Sequence, residues 1–281
     1  MSHYIKKPDW LKIRLGESDT FIETKRTLQK YHLHTICTSG KCPNQAECWS
    51  RGTATFLILG DICTRSCGFC NTLTGKPLPP NPLEPEQIAD AILRMGIKHA
   101  VITSVDRDDL PDLGVKHWKQ VITAVRSANP TITLETLIPD FQGKDHLIED
   151  FLQLKPEIVS HNIETVERLT SSVRSAAKYN TSLAVLRQIA AAGVRCKSGL
   201  MLGLGETEEE MLQTMDDLLA HDCEILTIGQ YLQPSRKHLP VQQYIHPNDF
   251  NRYKEIALSK GFKQVVSGPL VRSSYFSEHQ L

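Results

Sequence analysis

From about residue 54 onward, the 281-residue chain alternates short apolar, β-rich runs with amphipathic helical segments, and no other feature restricts the fold as much. The runs fall at 55–59, 99–104, 131–138, 157–161, 195–202 and 224–231, with a weaker one at 264–266. Helical patterns lie between them at 85–95, 115–128, 182–192 and 207–219, the last opening on a Thr207/Glu210 capping box. Strand-helix units of roughly 30 to 40 residues have the length of right-handed βαβ crossovers, which place their strands in parallel. The pattern predicts an α/β fold, a partial (β/α)6 TIM-like barrel over residues 53–262. A cysteine-rich extension (1–52) precedes it and a short tail (263–281) follows.

Barrels of this kind carry their reactive groups on loops after the strands. The first predicted strand leads into Cys63, Cys67 and Cys70, spaced C-x3-C-x2-C. On a continuous helix these sulfurs would spread over about 10 Å of axial rise, so the segment should curl into a loop, eased by Gly68. Three thiolates on a four-iron cluster leave one iron with an exchangeable site. A zinc site completed by a distant His or Cys is the alternative, although zinc favours C-x2-C pairs and no matching second pair follows. A second triplet, Cys37, Cys42 and Cys48, has the spacing C-x4-C-x5-C, and the 14 residues between Cys48 and Cys63 allow two separate clusters. The histidines form no H-x-x-x-H ligand pair, while Cys196 and Cys223 stand alone in strand runs and read as small buried hydrophobes.

Lys plus Arg balance Asp plus Glu at 32 each, which argues against a nucleic-acid surface. No stretch of eighteen apolar residues suggests a membrane span, and residues 1–10 lack the apolar core of a leader. The expectation is a cytoplasmic protein whose cysteines serve metal or redox chemistry, not disulfides.

Cys63, Cys67 and Cys70 match the signature of the radical S-adenosylmethionine (SAM) superfamily. With the first triplet and the stretches 103–111 (TSVDRDDLP), 161–165 (HNIET), 197–206 (KSGLMLGLGE), 229–235 (GQYLQPS) and 272–275 (RSSY), the chain closely resembles the lipoyl synthase family over nearly its whole length. The resemblance implies two 4Fe-4S clusters. One, on Cys63, Cys67 and Cys70, binds S-adenosylmethionine and cleaves it to a 5′-deoxyadenosyl radical. The auxiliary one, on Cys37, Cys42, Cys48 and Ser274, is the sulfur source. It implies two sulfur insertions, at C6 and C8 of a protein-bound octanoyl-lysine, with two S-adenosylmethionine molecules consumed per lipoyl group. The implied partners are octanoylated carrier domains (2-oxoacid dehydrogenase E2 and the glycine cleavage H protein), a ferredoxin or flavodoxin donor, and an iron-sulfur carrier protein.

For the cofactor the resemblance points to Gly203 and Glu206 beside the adenine, Asn162 and Glu164 at the ribose, backbone at Tyr231, and the loop Asp106 to Asp109 near the methionyl end. Each has a plainer reading. Gly203 to Glu206 can be a strand-to-helix turn, Asn162 and Glu164 can cap the next helix, the aspartates can be solvated, and Arg272 to Tyr275 can be a frayed terminus. A biotin synthase-like or methylthiotransferase-like enzyme would share Cys63, Cys67 and Cys70, but not the first triplet with the Arg-Ser-Ser-Tyr tail. A two-cluster electron carrier would need no barrel.

Overall fold

The computed structural model describes residues 5–13 and 18–280; residues 1–4, the start of the stretch read above for a leader, lie outside the described residues. The chain forms two compact units. One comprises residues 13–65 and 72–157; the other comprises residues up to Lys12, Ser66–Asn71 and Ile158 onward.

The first unit begins with α1 (Asp19–Lys30), whose N-terminus is capped by the Ser18 side chain accepting from the Phe21 amide. There follow β1 (His34–Thr35), α2 (Ile36–Ser39), α3 (Gln45–Ser50), β2 (Thr55–Ile58), β3 (Ile62–Cys63), β4 (Leu73–Thr74), α4 (Glu84–Met95), β5 (His99–Ser104), α5 (Val115–Ala128), β6 (Thr133–Leu137) and α6 (Asp145–Leu152). β2, β5 and β6 run parallel, β1 lies antiparallel to β2, and β3 pairs with β4 as a separate ribbon. Every residue of β2 is buried, as expected of a parallel strand covered on both faces. α4 buries Ile88, Ala91 and Ile92 along one stripe, and α5 buries Trp118 edge-on against Phe151 of α6, ring centroids 5.4 Å apart. Emptying a site like that of Trp118 costs about 3–5 kcal/mol.

The second unit contains β7 (Ile158–Ser160), α7 (Glu167–Val173), α8 (Tyr179–Ala191), β8 (Arg195–Leu202), α9 (Glu208–Ala220), β9 (Ile225–Gln230), α10 (Pro247–Lys260) and β10 (Gln264–Gly268). All four strands pair in parallel, in the order β7-β8-β9-β10. The Thr207/Glu210 capping box at the start of α9 is formed in both directions.

The α/β alternation read from the sequence is present: β5, β6, β7, β8 and β9 each lead on to a helix, and β2 does so after the β3–β4 ribbon, with strand ends at most two residues from those expected. The weak run at 264–266 proves to be a full strand, β10, matched to β9 from Gln264 opposite Ile225 to Gly268 opposite Gly229. Backbone pairing holds it, which a run with so few apolar residues does not advertise. Cys196 and Cys223 are buried as small hydrophobes, their thiols directed at the Leu186 and Ile225 carbonyls. No helix among the described residues is long and apolar enough to cross a membrane.

Candidate cluster and cofactor site

The exit from β2 is built to aim the chain. Leu59 adopts a left-handed conformation (φ 67°), which costs a non-glycine residue about 1–2 kcal/mol. Two buried charged groups offset this: Glu84 accepts the Leu59 amide at 2.9 Å and Arg107 donates to the Leu59 carbonyl at 3.2 Å. Glu84 is itself held 2.6 Å from His117 Nε2.

Beyond this bend Cys63 ends β3, and its carbonyl accepts from Gly75 at 3.1 Å. Its sulfur receives the Arg65 backbone N–H at 3.4 Å and lies 3.7 Å from Asp106 Oδ2. Thr64 donates to the Asp106 carbonyl through both its amide and its hydroxyl. The buried Arg65 guanidinium gathers three carboxylates: a fork to Asp108 at 2.7 and 2.8 Å, Asp140 at 2.8 Å and Asp106 at 3.2 Å. Burial works against its charge, but the bonds to Asp108 and Asp140 outweigh that and hold it protonated above its ordinary range. The charged loop after β5 therefore acts as a clamp with a partly solvated rim: Arg107 is buried too, forked at 2.8 and 2.9 Å onto Asp109, which is itself exposed.

In the other unit Ser66–Asn71 forms the loop expected of a cysteine segment too widely spaced for a helix. Ser66 N donates to Ser175 Oγ at 3.1 Å, and the same hydroxyl sits 3.7 Å from Cys67 Sγ. Gly68 donates to the Val173 carbonyl and accepts from Leu239, while His238 Nε2 lies 3.0 Å from the Cys70 carbonyl. Phe69 packs on the apolar cluster of Val173, Leu204, Tyr231 and Val241. These bonds pin the loop through its backbone at Ser66, Gly68 and Cys70.

Cys37, Cys42 and Cys48 come together in the first unit. The Cys42 amide donates to the Cys37 carbonyl at 2.9 Å, closing the loop between α2 and α3. Burial pushes the Cys37 thiol up to about 11, and the charge of Cys42 adds to it; burial pushes Cys48 up to about 12, with Cys37 and Cys42 adding. Cys42 thus raises the cost of ionising both Cys37 and Cys48, and Cys37 that of Cys48; a bound cation relieves such a cost. Among the described residues no three His, Cys, Asp or Glu side chains are gathered as ligands of a single metal ion. A four-iron cluster takes each thiolate on a separate iron, and both cysteine sets suit it in number and type.

Asn162 and Glu164 share one spot after β7. Asn162 Nδ2 donates to Glu164 Oε1 at 3.1 Å and to Ser273 Oγ at 2.7 Å, while its buried Oδ1 has no hydrogen-bond partner. Glu164 takes a left-handed conformation (φ 68°), and burial raises its carboxyl pKa, with Arg174 among the groups pulling the other way. Neither residue caps the following helix: the N-cap of α7 is Val166, without a side-chain bond. Backbone strain at Glu164 beside an unpartnered buried acceptor on Asn162 leaves this spot able to accept from a hydrogen-bond donor.

Gly203 and Glu206 form the turn between β8 and α9. The Glu206 carboxylate accepts the amides of Gly203 at 2.6 Å and Leu204 at 2.9 Å. At Gly203 (φ 96°) the close neighbours are the chain's own Gln230 amide and Gln243 carbonyl, 2.2 and 2.3 Å from where a Cβ would stand. Tyr231 is buried; its hydroxyl donates to the Leu239 carbonyl and its amide to Leu202. Its carbonyl accepts from the Gln230 side chain.

The tail is docked, not frayed. Tyr275 N donates to the Arg272 carbonyl, placing the half-buried Ser274 in a turn, and Arg195 Nη1 donates to the Gln280 carbonyl at 2.6 Å.

Residues 57–218 match the radical SAM superfamily profile. Over all 281 residues the chain is 59% identical to the lipoyl synthase of Parabacteroides distasonis, covering 100% of both. It is 58% identical over 277 residues to that of Bacteroides fragilis (99% of this chain, 96% of the relative) and 57% over 273 residues to that of Treponema denticola (97% and 94%). The chain belongs to the lipoyl synthase family of the radical SAM superfamily. As a member it is a sulfur-inserting enzyme that binds S-adenosylmethionine and a 4Fe-4S cluster. Solved structures at far lower identity show the shared fold. Streptococcus suis SuiB bound to precursor peptide SuiA has a TM-score of 0.60 at 12% identity, covering 88% of this chain and 52% of that one. The hydrogenase maturase HydG from Carboxydothermus hydrogenoformans has 0.59 at 13%, covering 92% and 76%.

Sequence reading missed Glu84, Arg65, Asp140, Ser175 and His238 as supports of the cysteine segment. Arg65 lies inside the signature itself, but its carboxylate partners are 41 to 75 positions away and no local pattern links them.

Proposed function

We propose that this chain inserts two sulfur atoms, at C6 and C8, into an octanoyl chain borne on a lysine of a lipoyl carrier domain, giving the lipoyl group. Two 4Fe-4S clusters serve the reaction, one on Cys63, Cys67 and Cys70, the other on Cys37, Cys42, Cys48 and Ser274. When bound, the first supplies an electron to S-adenosylmethionine and the second supplies the sulfur. By role the chain divides into 1–52, carrying the auxiliary cysteines, 53–262, handling S-adenosylmethionine, and 263–281, bearing Ser274. The observation that carries this reading is the 59% identity to a lipoyl synthase over all 281 residues, in a chain that pairs Cys37, Cys42 and Cys48 with Cys63, Cys67 and Cys70. That pairing separates it from biotin synthase-like and methylthiotransferase-like enzymes.

The chain's own residues orient and shelter. Asn162 Oδ1 and the Glu164 carboxylate accept from ribose hydroxyls, and the clamps on Ser66–Asn71 and Arg65 fix the cysteines. An apolar, water-poor interior protects a hydrogen-abstracting radical from quenching. The carriers are octanoylated lipoyl domains of 2-oxoacid dehydrogenase E2 and the glycine cleavage H protein. A ferredoxin or flavodoxin supplies electrons, an iron-sulfur carrier rebuilds the auxiliary cluster, and two S-adenosylmethionine molecules are used per lipoyl group in the cytoplasm.

The test is anaerobic incubation with S-adenosylmethionine, reductant and an octanoyl-lysyl peptide. Both 5′-deoxyadenosine and dithiolated peptide are expected. No 5′-deoxyadenosine rejects the radical assignment, and 5′-deoxyadenosine without thiolated peptide rejects the substrate.

Glu164 gives a pH prediction. Because its pKa is raised in the folded chain, the stability it contributes is fully present below the unfolded carboxyl value and is lost as pH rises through the folded one. Glu164→Gln mimics the protonated form. In thermal denaturation of the ligand-free chain it is expected to raise the midpoint at pH 7, a gain that disappears below about pH 4. The same variant is expected to bind S-adenosylmethionine more weakly, the exchange of stability for function typical of a site.

A further inference from the structure

Arg65 is more heavily paired than a loop staple requires. The Asp108 fork alone fixes its plane, yet Asp140 and Asp106 converge on the same guanidinium, so that three carboxyl groups face one cation where Arg65 and Asp140 are both largely shut off from water. Asp106 faces both Arg65 and Cys63. Oδ1 lies 3.2 Å from Arg65 Nη1, and Oδ2 lies 3.7 Å from Cys63 Sγ. The Arg65 backbone N–H points at the same sulfur from 3.4 Å. Both ends of Arg65 therefore address Cys63, the amide directly and the guanidinium through Asp106.

We propose that Asp106 sets how readily the iron group held at Cys63 takes up an electron, and that Arg65 is the positioning residue that keeps Asp106 against the sulfur. This rests on the reading of Cys63, Cys67 and Cys70 as iron ligands. Net charge and hydrogen bonds at the sulfurs govern the reduction potential of such groups. A carboxylate beside the sulfur opposes an added electron, and the Arg65 amide favours it. Holding the charge close makes the reduced group a stronger donor, which the reductive cleavage of a sulfonium demands.

The test is a redox titration of the anaerobically reconstituted full chain, followed by electron paramagnetic resonance on the signal that S-adenosylmethionine perturbs. Asp106→Asn is expected to favour electron uptake about tenfold, ~59 mV for one electron. Asp106→Ser, which removes the charge without adding an amide donor, is expected to shift the same way. Asp140→Asn removes an equal charge from the same guanidinium away from Cys63, and should move the equilibrium less than threefold. Equal shifts in Asp106→Asn and Asp140→Asn, or none in the Asp106 variants, overturn the proposal. So does loss of iron or of fold in both Asp106 variants, which makes Asp106 a purely structural residue. An unmodified chain with no signal responsive to S-adenosylmethionine rejects the ligand assignment itself; a normal signal with unmoved variants rejects only the role of Asp106.

Discussion

Gly229→Ala is expected to lower dithiolated product more than tenfold while lowering 5′-deoxyadenosine formation, through the loosened Asn162, by no more than about fivefold. A Cβ at residue 229 would stand 2.1 Å from the Val271 carbonyl oxygen and 3.1 Å from its carbon, with Arg272 Nη1 at 3.3 Å. Val271 is backbone crossing a strand held on both sides, since Gly229 pairs with Met201 of β8 and Gly268 of β10. The cheaper response is for the tail to lift, at a cost in the ~1–3 kcal/mol range of overpacking. Lifting Val271 carries Arg272, Ser273 and Ser274 away and breaks the Asn162–Ser273 bond. Iron per chain should fall, and hydrogen exchange across residues 269–280 should rise. Gly268→Ala is the control, because its Cβ meets only the Val271 side chain, at 3.4 Å. Equal effects of the two substitutions, or undiminished product from Gly229→Ala, would remove the tail from the account.

The second large effect is a split between the two cysteine sets. Cys70→Ala is expected to reduce 5′-deoxyadenosine by at least about a thousandfold, since a ligand of the iron group that cleaves S-adenosylmethionine is lost. Cys48→Ala should retain that reaction within about threefold and form no dithiolated peptide. Cys48 is coupled to Cys37 and Cys42, and Cys70 belongs to a loop held by His238 and Val173. Quantifying both products from each variant by mass spectrometry checks the split. Loss of 5′-deoxyadenosine in Cys48→Ala would mean that the sets do not act separately.

The strand-helix alternation was legible because its cause is local. Wholly buried parallel strands such as β2 must be apolar, and helices such as α4 must carry an apolar stripe. The cysteine sets were legible because metal chemistry dictates residue type and spacing. The supports were not. Leu59 sits in a left-handed bend only because Glu84 and Arg107, 25 and 48 positions on, take its amide and carbonyl. The solvated reading of Asp106, Asp108 and Asp109 holds in part, since Asp109 is exposed, but only the tertiary fold shows Arg65 and Arg107 buried among them. Of the two readings of Asn162, the structure removes the helix cap, and it adds a bond to Ser273, 111 positions away, that no local pattern reveals.

The account stands on two separate clusters in one chain, one of them the sulfur source. Iron and acid-labile sulfide per chain, measured after anaerobic reconstitution and removal of unbound metal, test this most directly. The account predicts about eight of each, falling to about four in Cys37→Ala/Cys42→Ala/Cys48→Ala. About four of each in the unmodified chain, or zinc in their place, would contradict it.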